Sequence, residues 1–413
     1  MDRIEITIDR LGHLGDGIAH KDASGPLFAP LTLPGERVSG VPDGARLTDL
    51  RIVEPSPLRV AAPCAQYRAC GGCVLQHAED GFVADWKRDV VRQALNAHGI
   101  DATFLPVLTS PPESRRRAAF SARRTKKGAL AGFHARASDT VIEVPDCRVI
   151  RPELRALLPL ARELAVLGSS RKGELSVQVT LSDGGPDLAV SGGKPLDPEL
   201  RMVLGAICDR DRLARIAWDG EVVALRSAPV QRMGAARVTP SPGAFLQATV
   251  EGEAALLAMV REIVADADRV VDLFAGCGTF ALPLADRAEV HAVEAEAGMT
   301  AVLDRAWRDT PGLHRVSVET RDLFRRPLQP DELVRFDAAV IDPPRAGAEA
   351  QVMELARARV RRIAMVSCNP VTFARDTAIL IRAGYALGAV QVVDQFRWSP
   401  HVEVVAGLTL TSA

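Results

Sequence analysis

VVDLFAGCGTFALPLADRAEVHAVE, residues 270–294, is the stretch that decides the fold. Its first five residues read as a buried parallel strand, and residues 275–279 form a glycine-rich turn after it. A helix is predicted to open in the FALPLADRA segment, and a second strand ends in the acid Glu294. This order is typical of a β-α-β unit that binds a nucleotide, because glycines let a ligand approach the backbone and an acid at that position binds a pair of ribose hydroxyls.

The nucleotide is expected to be S-adenosylmethionine rather than a dinucleotide. Ala281 occupies the position of the third glycine in the dinucleotide fingerprint, so the turn does not indicate a pyrophosphate site. S-adenosylmethionine carries an adenosine but no phosphate and fits this turn better. The sequence therefore predicts an α/β, Rossmann-like methyltransferase domain over residues 241–413.

Three further segments extend the predicted sheet. VSVETRDLF places Asp322 just after a third strand, FDAAVIDPPRAGAE ends a fourth strand at Asp342, and RRIAMVSCNP ends a fifth at Cys368. A last strand begins at Glu403 and is expected to insert antiparallel. Because ligands of open α/β sheets gather beyond the carboxyl ends of the strands, we expect these side chains at one rim, with Glu294 and the glycine-rich turn.

Cys368 is the candidate nucleophile of this rim, and Glu403 the candidate base. A cysteine that only caps a strand is common, but a thiol facing a methyl-donor pocket beside an acidic strand end favours chemistry. Thiolate addition to carbon 6 of uracil makes carbon 5 nucleophilic toward a sulfonium methyl, and a carboxylate can then remove the proton on carbon 5. Asp342 and Gln247 are candidate hydrogen-bond partners of the base edge, and the target base must leave its stack.

The cysteines indicate a second cofactor. Cys64, Cys70 and Cys73 follow a C-x5-C-x2-C spacing, and Cys147 lies far downstream. Four thiolates can bind Zn²⁺ or an iron–sulfur cluster. Structural zinc usually takes two tight pairs, whereas three clustered ligands and one remote ligand favour a [4Fe-4S] cluster.

The chain before residue 241 is predicted to form two further units. Residues 1–57 show short alternating runs separated by glycines, which is typical of a small OB-like β-barrel. Residues 58–240 are expected to form a β-rich central domain, and a helix at about 80–107 is expected to pack on the catalytic domain. Residues 115–127 hold seven positive charges and no acid. Their alternation with apolar residues suggests a strand with one basic face for phosphate contact, the alternative being a solvated surface.

The composition suggests a cytoplasmic protein. No apolar run reaches the length of a membrane span, and the first residues lack a signal-peptide core. An odd number of cysteines, seven, argues against a disulfide framework. The net charge of −1 does not by itself indicate a nucleic-acid partner. A monomer that does not bind membranes is expected.

Taken together, these motifs resemble the RNA uracil-5-methyltransferase family, in particular its iron–sulfur-containing 23S rRNA branch. The resemblance covers essentially the whole chain and rests on the cysteine spacing with Cys147, FLQ at 245–247, DLFAGCGTF, RDLF, IDPPRAG, SCNP and HVE. It implies a TRAM-like N-terminal barrel, Cys368 as nucleophile, Glu403 as base and a [4Fe-4S] cluster on Cys64, Cys70, Cys73 and Cys147. It implies contacts to S-adenosylmethionine or the target base from Gln247, Phe274, Thr279, Glu294, Asp322 and Asp342.

Three alternatives remain open from the sequence. A tRNA uridine methyltransferase of the same family would share the catalytic residues, although the cysteine cluster and the barrel favour rRNA. Cytosine-5 methylation would be indicated by a Pro-Cys nucleophile, which SCNP does not match. A non-catalytic iron–sulfur protein that binds RNA or senses redox state would not require Cys368 and Glu403.

Overall fold

The N-terminal unit is a mixed six-stranded sheet. The computed structural model describes residues 3–20 and 25–411. The sheet order is β1-β5-β6-β4-β3-β2, and all pairs are antiparallel except β4 with β6. A small apolar cluster that includes Ile8, Val38 and Leu47 fills one face, as the alternating pattern predicts. Closure into an OB-like barrel stays a prediction. The strands are β1 (Ile4–Thr7), β2 (Arg10–Leu11), β3 (Gly17–His20), β4 (Pro26–Ala29), β5 (Arg37–Asp43) and β6 (Arg46–Glu54).

One helix and one short strand separate this unit from the central sheet. The helix α1 spans Asp80–Asn96, and the strand β7 spans Leu108–Thr109. The prediction of a helix over about 80–107 was therefore wrong at its C-terminal end. Gly99 adopts a left-handed φ of 71°, and the amides of residues 97–100 bond carbonyls of the last helical turn, which ends the helix.

The central unit is a seven-stranded sheet with helices packed against it. Its order is β10-β9-β8-β11-β12-β13-β14, and only the β12–β13 pair is parallel. The ring of Trp218 is fully buried beside Gly168 and Gly193, where a Cβ atom would lie 2.2 and 2.1 Å from ring atoms, so both positions require glycine. The elements are β8 (Arg117–Thr125), β9 (Gly128–His134), β10 (Val141–Ile142), α2 (Pro152–Arg155), α3 (Leu158–Gly168), β11 (Leu175–Ser182), β12 (Gly185–Ser191), α4 (Pro198–Arg210), β13 (Arg215–Trp218) and β14 (Glu221–Leu225).

A hairpin and a helix lead into the C-terminal unit. The hairpin pairs β15 (Gln231–Met233) with β16 (Ala236–Val238), and α5 spans Val250–Ile263. Met233, Ala236 and Val238 are buried in the same apolar cluster as the first strands of the C-terminal sheet. The hairpin therefore packs on the core of this unit, and the domain boundary at residue 241 stays a prediction.

The C-terminal unit is an eight-stranded sheet of order β19-β18-β17-β20-β21-β23-β22-β7. The strands from β19 to β21 are parallel, β23 is antiparallel to both of its neighbours, and β7 is parallel to β22. The elements are β17 (Arg269–Leu273), α6 (Ala281–Leu284), β18 (Glu289–Glu294), α7 (Ala297–Arg308), β19 (Val316–Thr320), α8 (Pro330–Leu333), β20 (Ala338–Ile341), α9 (Glu349–Ala358), β21 (Arg362–Ser367), α10 (Pro370–Arg382), β22 (Tyr385–Asp394) and β23 (Glu403–Leu410).

Two apolar clusters cover the two faces of this sheet. Residues of α1, α9 and α10 contribute to one cluster, and residues of α5 and α7 contribute to the other. Val91 and Leu95 of α1 are fully buried in the first cluster, so this helix belongs to the C-terminal core although it lies far away in sequence. The helix predicted after the glycine-rich turn is only the single turn α6, because Leu284 begins a tight turn that leads into β18.

No helix in the described ranges is both long and apolar enough to cross a membrane.

Candidate active site

A cavity of about 520 Å³ opens at the carboxyl ends of β17, β18, β20 and β21. This is the rim at which parallel α/β sheets bind their ligands. Eight residues that the sequence marks for catalysis or cofactor binding line it together, although their roles remain predictions. They are Gln247, Phe274, Thr279, Glu294, Asp322, Asp342, Cys368 and Glu403.

The glycine-rich turn and Glu294 form one end of the cavity. Gly276 has a left-handed φ of 55°, and a Cβ atom added there would meet no atom within 4 Å. The turn therefore leaves open space beside its backbone, as close approach of a ligand requires. The Glu294 carboxylate accepts hydrogen bonds from the amides of Gly276, at 3.0 Å, and Glu296, at 2.9 Å. Each oxygen retains a lone pair that can accept a bond from a ribose hydroxyl.

Two aromatic rings stand beside this end of the cavity. The rings of Phe274 and Phe324 are 5.4 Å apart and tilted, and Phe324 is half exposed. Asp322 accepts a 2.9 Å bond from the Phe324 amide, which fixes the turn after β19. Apolar rings next to hydrogen-bond acceptors are groups that can contact a purine base.

Cys368 and Glu403 lie at the same end of two neighbouring antiparallel strands, β21 and β23. Ser367, the last residue of β21, pairs with Val404, so Cys368 and Glu403 are the next residues beyond this last pair, and both line the cavity. Cys368 is half-buried and Glu403 is buried. After Cys368, the Asn369 side chain accepts a 3.0 Å bond from the Val371 amide and caps α10, which ends the strand at the thiol.

The side chains around Cys368 oppose its ionisation. Burial, together with the charges of Glu403 and Asp342, raises the pKa of the Cys368 thiol to about 11, and Arg345 acts in the opposite direction. Burial also raises the pKa of Asp342 to about 7. Burial and the Asp342 charge raise the pKa of Glu403 well above its ordinary value, while Gln395 and Arg345 oppose the shift. The three groups compete for protons in one small space.

A pair of glutamines lies beside these groups. The Gln395 amide nitrogen donates to the Gln247 side-chain oxygen at 2.6 Å, and the Gln395 oxygen accepts from the Ala248 amide at 2.8 Å. These two bonds fix the orientation of the Gln247 amide. Its nitrogen has no hydrogen-bond partner within the described part of the chain and can donate to a ligand in the cavity.

Sequence reasoning missed four residues of this region. Phe245, Phe324 and Arg345 line the cavity, and Gln395 supports Gln247 from behind. Phe245, Phe324 and Arg345 stand inside the quoted FLQ, RDLF and IDPPRAG segments, so a closer look at those motifs could have found them. Gln395 carries no sequence signal, because it reaches the site only through the fold of the β22–β23 connection.

Comparison with known proteins agrees with this geometry. Residues 313–412 match the family described as tRNA (Uracil-5-)-methyltransferase. An uncharacterised RNA methyltransferase from Brucella suis is 45% identical over 405 residues, covering 98% of this chain and 97% of the relative. The 23S rRNA (uracil(1939)-C(5))-methyltransferase RlmD of Pectobacterium atrosepticum is 30% identical, covering 98% and 93%.

The chain belongs to the RNA uracil-5-methyltransferase family.

Among solved structures, the tRNA (uracil-54, C5)-methyltransferase of Pyrococcus abyssi shares the fold of this family member. The TM-score is 0.75 at 22% identity, and the match covers 98% of this chain and 99% of that one. Membership makes the chain a methyltransferase.

A second cavity of this methyltransferase, of about 480 Å³, is lined by all four clustered cysteines. Cys64, Cys70 and Cys73 come from the loop before α1, and Cys147 comes from the segment after β10. Burial raises the pKa of Cys73 to about 12, so a cationic partner would be needed to keep this thiol ionised. Within residues 3–20 and 25–411, no three His, Cys, Asp or Glu side chains are arranged to hold a single metal ion.

The basic segment 115–127 is only partly solvent-facing. Arg116 is buried and pairs with Glu253 at 2.5 Å, and Arg123 pairs with Glu174 at 2.5 Å. Arg115 and Arg117 are half-buried and stand 5.7 and 5.2 Å from the rings of Phe396 and Phe245.

The hydrogen bonds of Arg115 and Arg117 within the described residues go to backbone carbonyls, and none goes to a carboxylate. Burial and the neighbouring arginines lower the pKa of Arg117 to about 10. Both guanidiniums line a smaller cavity of about 270 Å³, which shares Arg115 with the cysteine cavity and Phe245 with the active-site cavity.

The pH dependence of Cys368 alkylation tests the electrostatics of the site. Because the pKa of the thiol is raised to about 11, the thiolate fraction, and with it the rate of modification by iodoacetamide, should rise about tenfold per pH unit from pH 7 to pH 10. Quantitative mass spectrometry of the Cys368 peptide measures this rate. Glu403→Gln should move the profile to lower pH, and Arg345→Gln should move it to higher pH. A profile with a midpoint near 8.5, or shifts in the same direction in both variants, would contradict this description.

Proposed function

We propose that this protein transfers a methyl group from S-adenosylmethionine to carbon 5 of a uridine in RNA, with 23S rRNA as the favoured substrate. One observation carries the proposal: Cys368 and Glu403 lie just beyond the last residue pair of β21 and β23, and both line the cavity that also contains the glycine-rich turn and Glu294. A thiol, a carboxylate and a nucleoside pocket in one cavity are the groups that this reaction needs.

The reaction begins with the thiolate. The Cys368 sulfur adds to carbon 6 of the uracil and forms a covalent bond, which makes carbon 5 an enolate-like nucleophile. Carbon 5 then attacks the sulfonium methyl, the bond between that methyl and sulfur breaks, and S-adenosylhomocysteine leaves. Glu403 takes the proton from carbon 5, the electrons re-form the C5–C6 double bond, and the bond between carbon 6 and sulfur breaks. The thiolate is regenerated, and one proton is released.

The protonation pattern supports these roles. A raised carboxyl pKa makes Glu403 a stronger base once it is ionised, which suits removal of a carbon-bound proton. The thiol, with a pKa of about 11, must lose its proton as substrate binds. Asp342, with a pKa of about 7, lies close enough for its charge to raise the pKa of the thiol. Its carboxyl group can hydrogen-bond the uracil edge in either protonation state, and the Gln247 amide can hydrogen-bond the same edge.

The rest of the cavity would bind the methyl donor. Glu294 would accept the ribose hydroxyls, and the glycine-rich turn with Thr279 would contact the amino-acid part. Phe274 and Asp322 would bind the adenine. The assignment rests on the open space at Gly276, the free lone pairs of Glu294 and the aromatic wall described above.

The cysteine cavity is proposed to hold a [4Fe-4S] cluster on Cys64, Cys70, Cys73 and Cys147. Each iron of such a cluster takes one thiolate, so its four ligands surround a body of atoms. Zinc would instead require the sulfurs within about 2.3 Å of one point. The lining of one cavity by all four cysteines supports the cluster assignment. Methyl transfer needs no electron from this group, so we assign it a structural role.

RNA is proposed to lie across both cavities, beside Arg115 and Arg117. Two half-buried guanidiniums without a carboxylate partner favour an anion, and the neighbouring rings of Phe245 and Phe396 favour a base. The fold alone does not distinguish the RNA classes, because the Pyrococcus tRNA enzyme shares it over 98% of the chain. Full-length identity of 30% to the 23S rRNA enzyme of Pectobacterium favours rRNA. We expect a cytoplasmic monomer.

Methyl transfer with labelled S-adenosylmethionine tests the reaction and its substrate together. Unmodified 23S rRNA should yield labelled 5-methyluridine, and unmodified tRNA should yield none. Cys368→Ala should reduce the rate at least 1,000-fold, because no covalent intermediate can form. Glu403→Gln should reduce turnover at least 100-fold and accumulate a denaturant-stable protein–RNA adduct. Label in tRNA would overturn the rRNA assignment, whereas label that persists in Cys368→Ala would overturn the mechanism.

Metal analysis tests the cluster. The anaerobically purified protein should contain about four iron atoms and four sulfides per chain and show the broad visible absorption of an iron–sulfur cluster. Cys147→Ser should lose most of both. Cys208→Ser is the matched control, since Cys208 is buried in the central core but does not line the cavity. One zinc ion per chain, without sulfide, would replace the cluster assignment by zinc.

The salt dependence of RNA binding tests the two arginines. The plot of log affinity against log salt concentration has a negative slope, and each lost phosphate contact should make it shallower by about 0.7. The double variant Arg115→Gln, Arg117→Gln should therefore make it shallower by about 1.4. Arg308→Gln on α7 is the control, because its partner is Asp304 on the same helix and it lines neither cavity. An unchanged slope in the double variant would exclude phosphate contact.

A further inference from the structure

The loop that connects β22 to β23, residues 395–402, leads directly into Glu403. Lys87 of α1 is fully buried and holds both ends of this loop. Its ammonium donates to the Asp394 carboxylate, to the Phe396 carbonyl at 3.1 Å and to the His401 carbonyl at 2.9 Å. All three donors of the ammonium group are thereby used on one short segment.

The tip of the 395–402 loop is bound by residues 64–75, the cysteine segment, which contains Cys64, Cys70 and Cys73. The Trp398 carbonyl accepts two backbone bonds, from the amides of Val74 at 2.8 Å and Leu75 at 3.1 Å. These are the two residues that follow Cys73. The Trp398 ring is 5% exposed and packs with Tyr67 and Cys73 at the edge of the cysteine cavity.

The tryptophan itself is in a conformation that needs support. Its φ is 60°, in the left-handed region, which is strained for a bulky residue. Asp80 of α1 accepts a 3.2 Å bond from the Trp398 indole nitrogen and also pairs with Arg397. The loop is thus fixed from α1 and from the cysteine segment, neither of which lines the active-site cavity.

Cys368 is fixed differently. It follows β21 in the parallel part of the sheet, and the neighbouring Asn369 caps α10 and donates to the Arg345 carbonyl at 2.9 Å. Among the hydrogen bonds of the described residues, the loop reaches this region only through the 2.9 Å bond between His401 and the Arg345 side chain, so a disturbance of the 395–402 loop should displace Glu403, which follows it directly, more than the thiol.

We propose that Lys87 and Trp398 are positioning residues for Glu403, and that the cysteine segment controls the elimination step through Trp398. The inference rests on the proposed function for the chemical step. Loosening of the loop would leave addition of the Cys368 sulfur and methyl transfer intact, but the proton on carbon 5 would not be removed. The bond between carbon 6 and sulfur would then persist, and methylated RNA would remain attached to the protein.

The first test concerns the loop alone and needs no RNA. Arg397 lies in the loop with 15% of its side chain exposed, so trypsin should cleave after it slowly in the native protein. Trp398→Ala should accelerate this cleavage at least tenfold, as should the double variant Lys87→Met, Asp394→Leu, which avoids leaving a buried charge unpaired. Cys73→Ser should act in the same direction. Trp307→Ala on α7 is the matched control and should cleave like the native protein.

The second test measures the adduct. Trp398→Ala, incubated with S-adenosylmethionine and unmodified 23S rRNA, should accumulate a denaturant-stable protein–RNA adduct that contains 5-methylated uracil, at a level at least tenfold above native protein and above Trp307→Ala. Glu403→Gln provides the reference for blocked elimination. A loss of activity from misfolding would lower the adduct along with turnover, so accumulation separates positioning from general damage.

The outcomes separate the inference from the proposed function. An unchanged rate of tryptic cleavage at Arg397 in both loop variants would overturn the inference. The inference would also fail if cleavage were faster but Trp398→Ala formed no protein–RNA adduct under conditions in which Glu403→Gln forms one. If Glu403→Gln forms no adduct with any RNA while cleavage is accelerated, the proposed function and the elimination step fail, and the mechanical connection between the cysteine segment and Glu403 stands.

Discussion

The catalytic geometry depends on the antiparallel pairing of β23 with β21. Parallel strands alone would bring only their carboxyl ends to the ligand rim, and the first residue of any following strand would lie at the opposite edge. Inserting β23 in reverse places its beginning at that rim. Glu403 therefore stands beside Cys368 although 34 residues separate them along the chain. The ladder of hydrogen bonds between the two strands fixes this register.

That pairing brings a thiol whose pKa is raised by burial close to two carboxyl groups whose charges raise it further. A thiol and two carboxyl groups share a poorly hydrated space in which ionisation of one group opposes ionisation of the others. Arg345 and Gln395 relieve this only in part. Burial raises the pKa of each group, so the Cys368 thiol, with a pKa of about 11, is protonated at neutral pH.

Much of the C-terminal unit could be predicted from the sequence because its strands are short apolar runs and several of the marked side chains, such as Glu294, Asp342 and Cys368, lie at or just beyond their carboxyl ends. The eight marked residues of the rim lie in one cavity for this reason. The four marked cysteines likewise line one cavity, although which group they bind stays a prediction. The roles of these residues are chemical interpretations that position alone does not test.

What could not be predicted depends on contacts between distant segments. Nothing in the local pattern of α1 indicates that Val91 and Leu95 pack on the C-terminal sheet, or that Lys87 reaches Asp394. The basic face expected for residues 115–127 is partly neutralised because Glu253 and Glu174, from other elements, approach Arg116 and Arg123. The one-turn helix α6 differs from the predicted helix because few residues separate the glycine-rich turn from β18.

The strand β7 has a consequence for how the chain is made. It is synthesised among the first 110 residues, yet it completes a sheet whose partner strand, β22, is synthesised near the end. The apolar face of α1 likewise has no covering until α10 exists. Apolar residues of α1 and the edge of β7 therefore stay exposed while the whole central unit is synthesised. The edge of the C-terminal sheet is therefore completed only when β22 pairs with β7, which was synthesised much earlier. A fragment that begins at residue 241 would lack β7 and would expose β22 as an unpaired edge strand.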